Sequence, residues 1–145
     1  MDRGTMIQAL IDRGVVIPQP QTVEIAPEVD IHRISPGAVI HPGTRIRGEK
    51  TLICTGARIG RQATATIENC FAGPHVSLEG GYFKDSVFLE KASIGPSAHI
   101  RAGTILEEHA SAAHSAGLKQ TILFPFVTLG SLINFCDVLM AGGTD

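Results

Sequence analysis

The chain has 145 residues, of which 43% are hydrophobic and 18% charged, and its formal net charge is −2. A chain of this length is expected to form one compact domain. Its charge balance offers no basic surface of the kind that binds nucleic acid, and polar residues interrupt the N-terminal apolar stretch too often for a signal peptide or a membrane span. We therefore expect small molecules or proteins as partners, and neither nucleic acid nor membrane.

A short helix is predicted at the N-terminus. Thr5 is the candidate N-cap and Gly14 the candidate stop. Between them, apolar residues follow a helical stripe at Met6, Ile7, Leu10 and Ile11. We assign residues 1–16 to a helical cap that shields the first hydrophobic end of the repeat that follows. Residues 18–22 are expected to form a linker.

A six-residue repeat dominates the rest of the chain. Large apolar residues or alanine recur at every sixth position, namely Phe88, Ile94, Ile100, Leu106, Ala112, Leu118 and Phe124. A second slot comes four residues after each, at Ala92, Ala98, Thr104, Ala110, Ala116, Ile122 and Thr128. Neither a helix nor a plain strand has this period, whereas a coil of three short strands joined by tight turns does. Both slots are expected to point into the coil.

The repeat predicts an all-β parallel β-helix over residues 17–145, in which about 18 residues complete one coil. Its phase slips near residues 48–52 and is poorly kept over residues 65–83, where loops or bulges are expected. An antiparallel β-sandwich is the alternative, and the strict spacing argues against it. Known hexapeptide-repeat proteins are left-handed, and we adopt a left-handed β-helix from that resemblance. No capping element follows the last coil, so we expect the β-helix to be truncated at its C-terminal end.

Three cysteines, Cys54, Cys70 and Cys136, are widely spaced and form no C-x-x-C arrangement. This pattern favours reduced thiols over a disulfide framework or a cysteine zinc site. We therefore expect a cytoplasmic protein.

Two cations form the first candidate site. Arg101 and Lys119 follow repeat positions and are 18 residues apart, so one coil should bring them side by side on the outer surface. Like charges at the strand spacing of about 4.8 Å favour a bound anion, and phosphate suits an Arg fork beside a Lys ammonium. Phe83 is expected one coil before Arg101 as a stacking surface, and His99 on the same face as a further donor. The alternative is a pair of solvated cations neutralised by nearby glutamates or another subunit, with His99 an ordinary surface histidine.

A second candidate site involves His75, His109 and His114. Their spacing is like that of the trimeric γ-class carbonic anhydrases, which bind a metal ion through histidines. The acidic and amide residues that accompany that metal site are not recognisable here, so isolated turn histidines are the default and metal binding is the alternative. By the repeat count, His109 and His114 fall in turns.

Several stretches resemble the left-handed β-helix half of the bacterial N-acetylglucosamine-1-phosphate uridyltransferase/glucosamine-1-phosphate acetyltransferase family. They are residues 10–16, 100–106, 118–120 and 141–144. Residues 119–144 are also similar to stand-alone relatives of nucleotide-sugar pyrophosphorylases. The resemblance covers most of the chain, and much of it lies in the repeat itself.

The resemblance implies that Arg101 and Lys119 hold the phosphate of an amino-sugar phosphate or nucleotide sugar, with Ser131 and Asn134 as further candidate substrate-binding residues. The family's catalytic histidine matches Ser131, so the general base is missing and we expect binding without turnover. No Gly-rich loop of the family's nucleotidyltransferase half is found. No cofactor is expected within this chain, and acetyl-CoA only in a full-length protein. Related proteins are trimers with ligand sites between subunits, which implies a homotrimer; the alternative function is a non-catalytic trimeric binding or scaffold module.

Overall fold

A computed structural model describes residues 2–141 of the chain. This part contains one α-helix, two short 3-10 helices and nineteen short strands, which form three parallel sheets. The sheets wind into a β-solenoid of about seven turns, so the predicted fold class, an all-β left-handed parallel β-helix with a short N-terminal helix, is confirmed. The predicted domain limits and the resemblance over residues 141–144 extend to positions that lie outside the described residues.

Each full coil contributes one strand to each sheet. The first sheet contains β1 (Glu24–Ile25), β3 (Arg45–Arg47), β6 (Ala65–Glu68), β9 (Gly81–Lys84), β12 (Ala98–Ile100), β15 (Gly117–Lys119) and β18 (Asn134–Cys136). The second contains β4 (Leu52–Ile53), β7 (Phe71–Ala72), β10 (Val87–Phe88), β13 (Ile105–Leu106), β16 (Ile122–Leu123) and β19 (Leu139–Met140). The third contains β2 (Val39–Ile40), β5 (Arg58–Ile59), β8 (Ser77–Leu78), β11 (Ser93–Ile94), β14 (Ser111–Ala112) and β17 (Thr128–Leu129).

The helix α1 (Arg3–Asp12) covers the first coil with the buried residues Met6, Ile7 and Leu10. The predicted N-cap Thr5 is wrong. Asp2 caps the helix instead, and its carboxylate accepts a hydrogen bond from the Thr5 backbone N–H at 2.8 Å. The predicted stop at Gly14 is confirmed, because this residue follows the helix with φ of 100°. None of the helices in the described part of the chain has the length and apolar composition needed to cross a membrane.

The interior of the coil is narrow and is filled in rows. One large inward side chain comes from nearly every strand, and the rings of Phe83 and Phe88 meet edge to face with centroids 5.9 Å apart. Small residues fill the corners, including the fully buried Thr44, Thr51 and Thr121. A wider core would leave voids between the sheets, so the scarcity of aromatic residues follows from this geometry.

The six-residue phase holds from Phe88 to Leu118 and then shifts by one residue. The corner at Gln120 is one residue shorter than the preceding corner of the same edge, so Leu106 pairs with Leu123, 17 residues later. The predicted inward positions after Leu118 are therefore wrong. Ile122 and Thr128 point outward, whereas the buried positions belong to Thr121, Leu123, Val127 and Leu129.

The irregularity expected over residues 65–83 is also wrong, because β6 to β9 are regular parallel strands. The extra residues lie immediately before them, in a bend over residues 60–63. Arg61 ties this bend to the next coil with two hydrogen bonds of 3.0 Å to the Glu79 carboxylate. The slip expected at residues 48–52 coincides with a turn at residues 49–50.

Candidate functional site

Two rows of side chains run along the outer face of the first sheet, one strand above the next. The register of the parallel strands defines the first row as Glu24, Arg45, Thr66, Tyr82, His99, Gly117 and Asn134. Two residues further along each strand, the second row contains Arg47, Glu68, Lys84, Arg101, Lys119 and Cys136. Alternate residues of a strand share a face, so both rows point outward.

Arg101 and Lys119 are direct neighbours in the second row. Ile100 pairs with Leu118, and the Arg101 backbone N–H donates to the Leu118 carbonyl at 2.8 Å. The predicted adjacency of the two cations is thus confirmed, since neighbouring strands are about 4.8 Å apart. Their binding of phosphate stays a prediction.

The first coils of this face carry compensated charges. Arg45 forms an ion pair with Glu24 at 3.5 Å, and Lys84 with Glu68 at 3.6 Å. Neither Arg101 nor Lys119 forms an ion pair with any of residues 2–141. This upper part of the face therefore carries two adjacent positive charges without a carboxylate.

An open groove of about 430 Å³ lies beside these cations. Its lining includes His99, Arg101, Ser115, Gly117 and Asn134, whereas Lys119 lies at its border one residue beyond the buried Leu118. Gly117 makes the floor open, because a Cβ at this position would lie only 3.0 Å from the Asn134 Oδ1. The groove can offer an imidazole, a hydroxyl and a carboxamide to a ligand whose anionic group meets Arg101.

The expected position of Phe83 is wrong. This residue pairs with Ile100 rather than preceding Arg101 in its row, and its side chain has no exposed surface. The aromatic residue on the outer face is Tyr82, whose ring meets that of His99 edge to face with centroids 5.8 Å apart. The coil from β9 to β12 has 17 residues rather than 18, and that single residue moves Phe83 inside and Tyr82 outside.

Comparison with known proteins places this geometry in a wider group. The bifunctional protein GlmU of Geotalea uraniireducens is 30% identical over 83% of this chain, and that of Trichormus variabilis is 34% identical over 76%. The protein of the same name from Corynebacterium glutamicum strain R is 37% identical over 73%. The chain is homologous to part of bifunctional GlmU.

The homology covers only part of the relatives. The matched region makes up 25%, 23% and 20% of the three GlmU proteins, so this chain spans at most about a quarter of their length. No protein-family model matches the chain.

In this GlmU homologue, Ser131 lies in an exposed corner beside the groove. The next two residues, Leu132 and Ile133, belong to the groove lining, and the Leu132 N–H donates to the His114 carbonyl at 3.1 Å. Ser131 thus follows the corner of His114 one coil later. The ring of His114 is within 3.3 Å of the Ser115 hydroxyl.

The three histidines of the metal alternative do not meet within the described chain of this GlmU homologue. His75 and His109 lie in corners between the second and third sheets, whereas His114 lies in a corner between the third and first sheets. His109 instead stacks on Phe126, with ring centroids 4.7 Å apart and an interplanar angle of 7°. Among residues 2–141, no group of three or more His, Cys, Asp or Glu side chains is placed to hold a metal ion.

Proposed function

We propose that the protein binds a phosphorylated amino sugar on the outer face of the first sheet, in a sugar-phosphate acetyltransferase-like role. Arg101 and Lys119 bind the phosphate, and the sugar occupies the groove between His99 and Asn134. The observation that carries this proposal is the stacking of two cations on neighbouring strands without any ion pair among residues 2–141. Homology to GlmU supports the same role.

The charge and shape of the face suit a phosphate ester. A guanidinium donates through a planar fork and an ammonium acts as a compact point charge, so together they match the oxygens and the charge of a phosphate. The row that contains His99, Gly117 and Asn134 runs parallel to the cationic row, two residues away along each strand. Polar groups in that row can bond to the hydroxyl groups of a ring attached to the phosphate.

Catalysis by this chain is limited by its general base. A serine hydroxyl, as at Ser131, does not remove a proton from an amine at neutral pH unless another group activates it. We therefore propose that residues 2–141 provide sugar-phosphate binding, and that acetyl transfer from acetyl-CoA belongs to a longer protein. A nucleotide sugar is the second ligand class that the cations could hold.

Assembly is the second part of the proposal. The outer face of the second sheet is apolar, with one row formed by Leu52, Phe71, Val87, Ile105, Ile122 and Leu139. The equivalent row of the third sheet is polar, with Arg58, Ser77, Ser93, Ser111 and Thr128. A continuous apolar surface on one face favours burial against another subunit, and we propose a cytoplasmic homotrimer that uses this face.

Calorimetric titration with glucosamine 1-phosphate tests the binding proposal. Replacing Arg101 and Lys119 together by alanine should weaken binding at least about 100-fold, because each charge-assisted contact contributes roughly 1.5–3 kcal/mol. Lys91→Ala removes one positive charge in a different corner and should leave the affinity within about twofold. Equal affinity of the wild type and the double variant would reject the site.

The same titration separates the ligand classes. A nucleotide sugar that binds more tightly than glucosamine 1-phosphate, with the same loss in the double variant, would assign the site to nucleotide sugars. A trimer that binds neither ligand would instead favour the non-catalytic scaffold function.

A further inference from the structure

Cys136 touches the phosphate site from the strand above it. This exposed thiol lies on β18 and pairs in register with Lys119 of β15. Arg101 lies one strand below Lys119, yet its Nη2 is 3.7 Å from the Cys136 sulfur. The guanidinium therefore reaches past the strand of Lys119, over roughly two strand spacings of about 4.8 Å each.

The contact gives Arg101 a defined direction. No carboxylate pairs with it among residues 2–141, and the thiol is the side-chain hydrogen-bond partner that the structure gives it there. Sulfur is a weak acceptor, so it can orient the guanidinium without neutralising its charge. Arg45 and Lys84, on the same face, each contact a glutamate instead.

We propose that Cys136 is a positioning residue of the phosphate site, whose neutral thiol holds the Arg101 guanidinium across Lys119 and leaves both charges free for phosphate. The inference rests on the proposed function. It explains why a thiol suits this place: a carboxylate here would lie beside both cations and compete with the ligand. The row of cations thus ends in a polar group that is uncharged in its thiol form.

An isosteric pair of variants isolates the charge at this position. Cys136→Asp and Cys136→Asn have nearly the same shape, so a structural defect would affect both. We expect Cys136→Asp to bind glucosamine 1-phosphate at least about 10-fold more weakly than Cys136→Asn, because its carboxylate pairs with the cations. The conservative variant Cys136→Ser should stay within about threefold of the wild type, since its hydroxyl also accepts a hydrogen bond.

Cys54 provides the matched control. It lies at the second sheet and is partly buried. Cys54→Asp and Cys54→Asn differ by the same charge as the Cys136 pair, but they should bind the sugar phosphate with similar affinity. Equal affinities of Cys136→Asp and Cys136→Asn would overturn the proposal.

Alkylation tests the contact without any sugar ligand. Iodoacetate and iodoacetamide each form a carbon–sulfur bond, release iodide and leave the thiol proton to solvent, but only iodoacetate is an anion. The rate ratio of iodoacetate to iodoacetamide at Cys136 should fall at least about threefold in Arg101→Ala, because the guanidinium attracts the anionic reagent. Peptide mass spectrometry gives this ratio, with Cys54 in the same molecule as the reference.

The two experiments fail in different ways. An unchanged ratio in Arg101→Ala would overturn the positioning role, whatever the protein binds. A ratio that falls as expected, in a wild-type protein that does not bind sugar phosphate, would reject the proposed function and retain the contact between Arg101 and Cys136.

Discussion

Corner residues determine which side chains the β-helix displays. Eleven non-glycine residues among residues 2–141 have positive φ, and they include side chains as large as Lys91, His109 and Phe126. An L-residue pays about 1–2 kcal/mol in this conformation, and the cost is tolerated because each corner is fixed by the coils above and below. The sequence does not reveal this cost, since glycine is the residue that normally signals such a corner.

Gly81 is a position where glycine is required by contact as well as by conformation. Its φ is 121°, and a Cβ there would lie 2.2 Å from the Ala98 carbonyl oxygen on the next strand. Gly81→Ala should lower the free energy of unfolding by about 2–4 kcal/mol, because backbone atoms on both sides must move. Chemical denaturation measures the loss.

Gly130→Ala is the control for that experiment. A Cβ at Gly130 would meet no atom within 4 Å, so this variant should change the free energy of unfolding by less than about 0.5 kcal/mol. A cost for Gly81→Ala as small as that for Gly130→Ala would contradict the close approach of β9 and β12.

At the level of strands, the apolar spacing predicts the coil but not the length of each corner. The sequence Thr121, Ile122, Leu123, Phe124 contains three consecutive apolar residues, so a shift of one residue still places an apolar side chain inside. Tyr82 and Phe83 hide the phase in the same way, because either ring could fill the interior. Arg101 and Lys119 were placed correctly because the coil between them has the regular 18 residues.

Phe83 tests this corrected phase. Phe83→Ala should lower the free energy of unfolding by about 3–5 kcal/mol, since it empties the fully buried space beside Phe88. Tyr82→Ala, on the neighbouring outer position, should cost less than about 2 kcal/mol. Thermal or chemical denaturation of the two variants decides between the phases, and a larger cost for Tyr82→Ala would restore the phase predicted from the sequence. Phe83→Leu should keep its affinity for glucosamine 1-phosphate.

For the molecule as a whole, the three outer faces differ in chemistry. The first sheet carries the cationic site, the second sheet is apolar and the third is lined by small hydroxyl side chains. The six-residue period predicts which residues face outward over most of the chain, but a row becomes apolar only through the register of successive coils. The shift at Gln120 adds Ile122 to the apolar row, and the sequence alone had assigned this residue to the interior.

The apolar face gives the assembly proposal its test. Light scattering at micromolar concentration should give the mass of a trimer for the wild type. Replacing Ile105 and Ile122 by lysine should yield smaller species, because burying two ammonium groups in an apolar interface is costly. Ser93→Lys with Ser111→Lys places the same charges on neighbouring strands of the third sheet and should leave the trimer intact. A monomeric wild type would reject the assembly, and dissociation by the serine variants alone would move the interface to the third sheet.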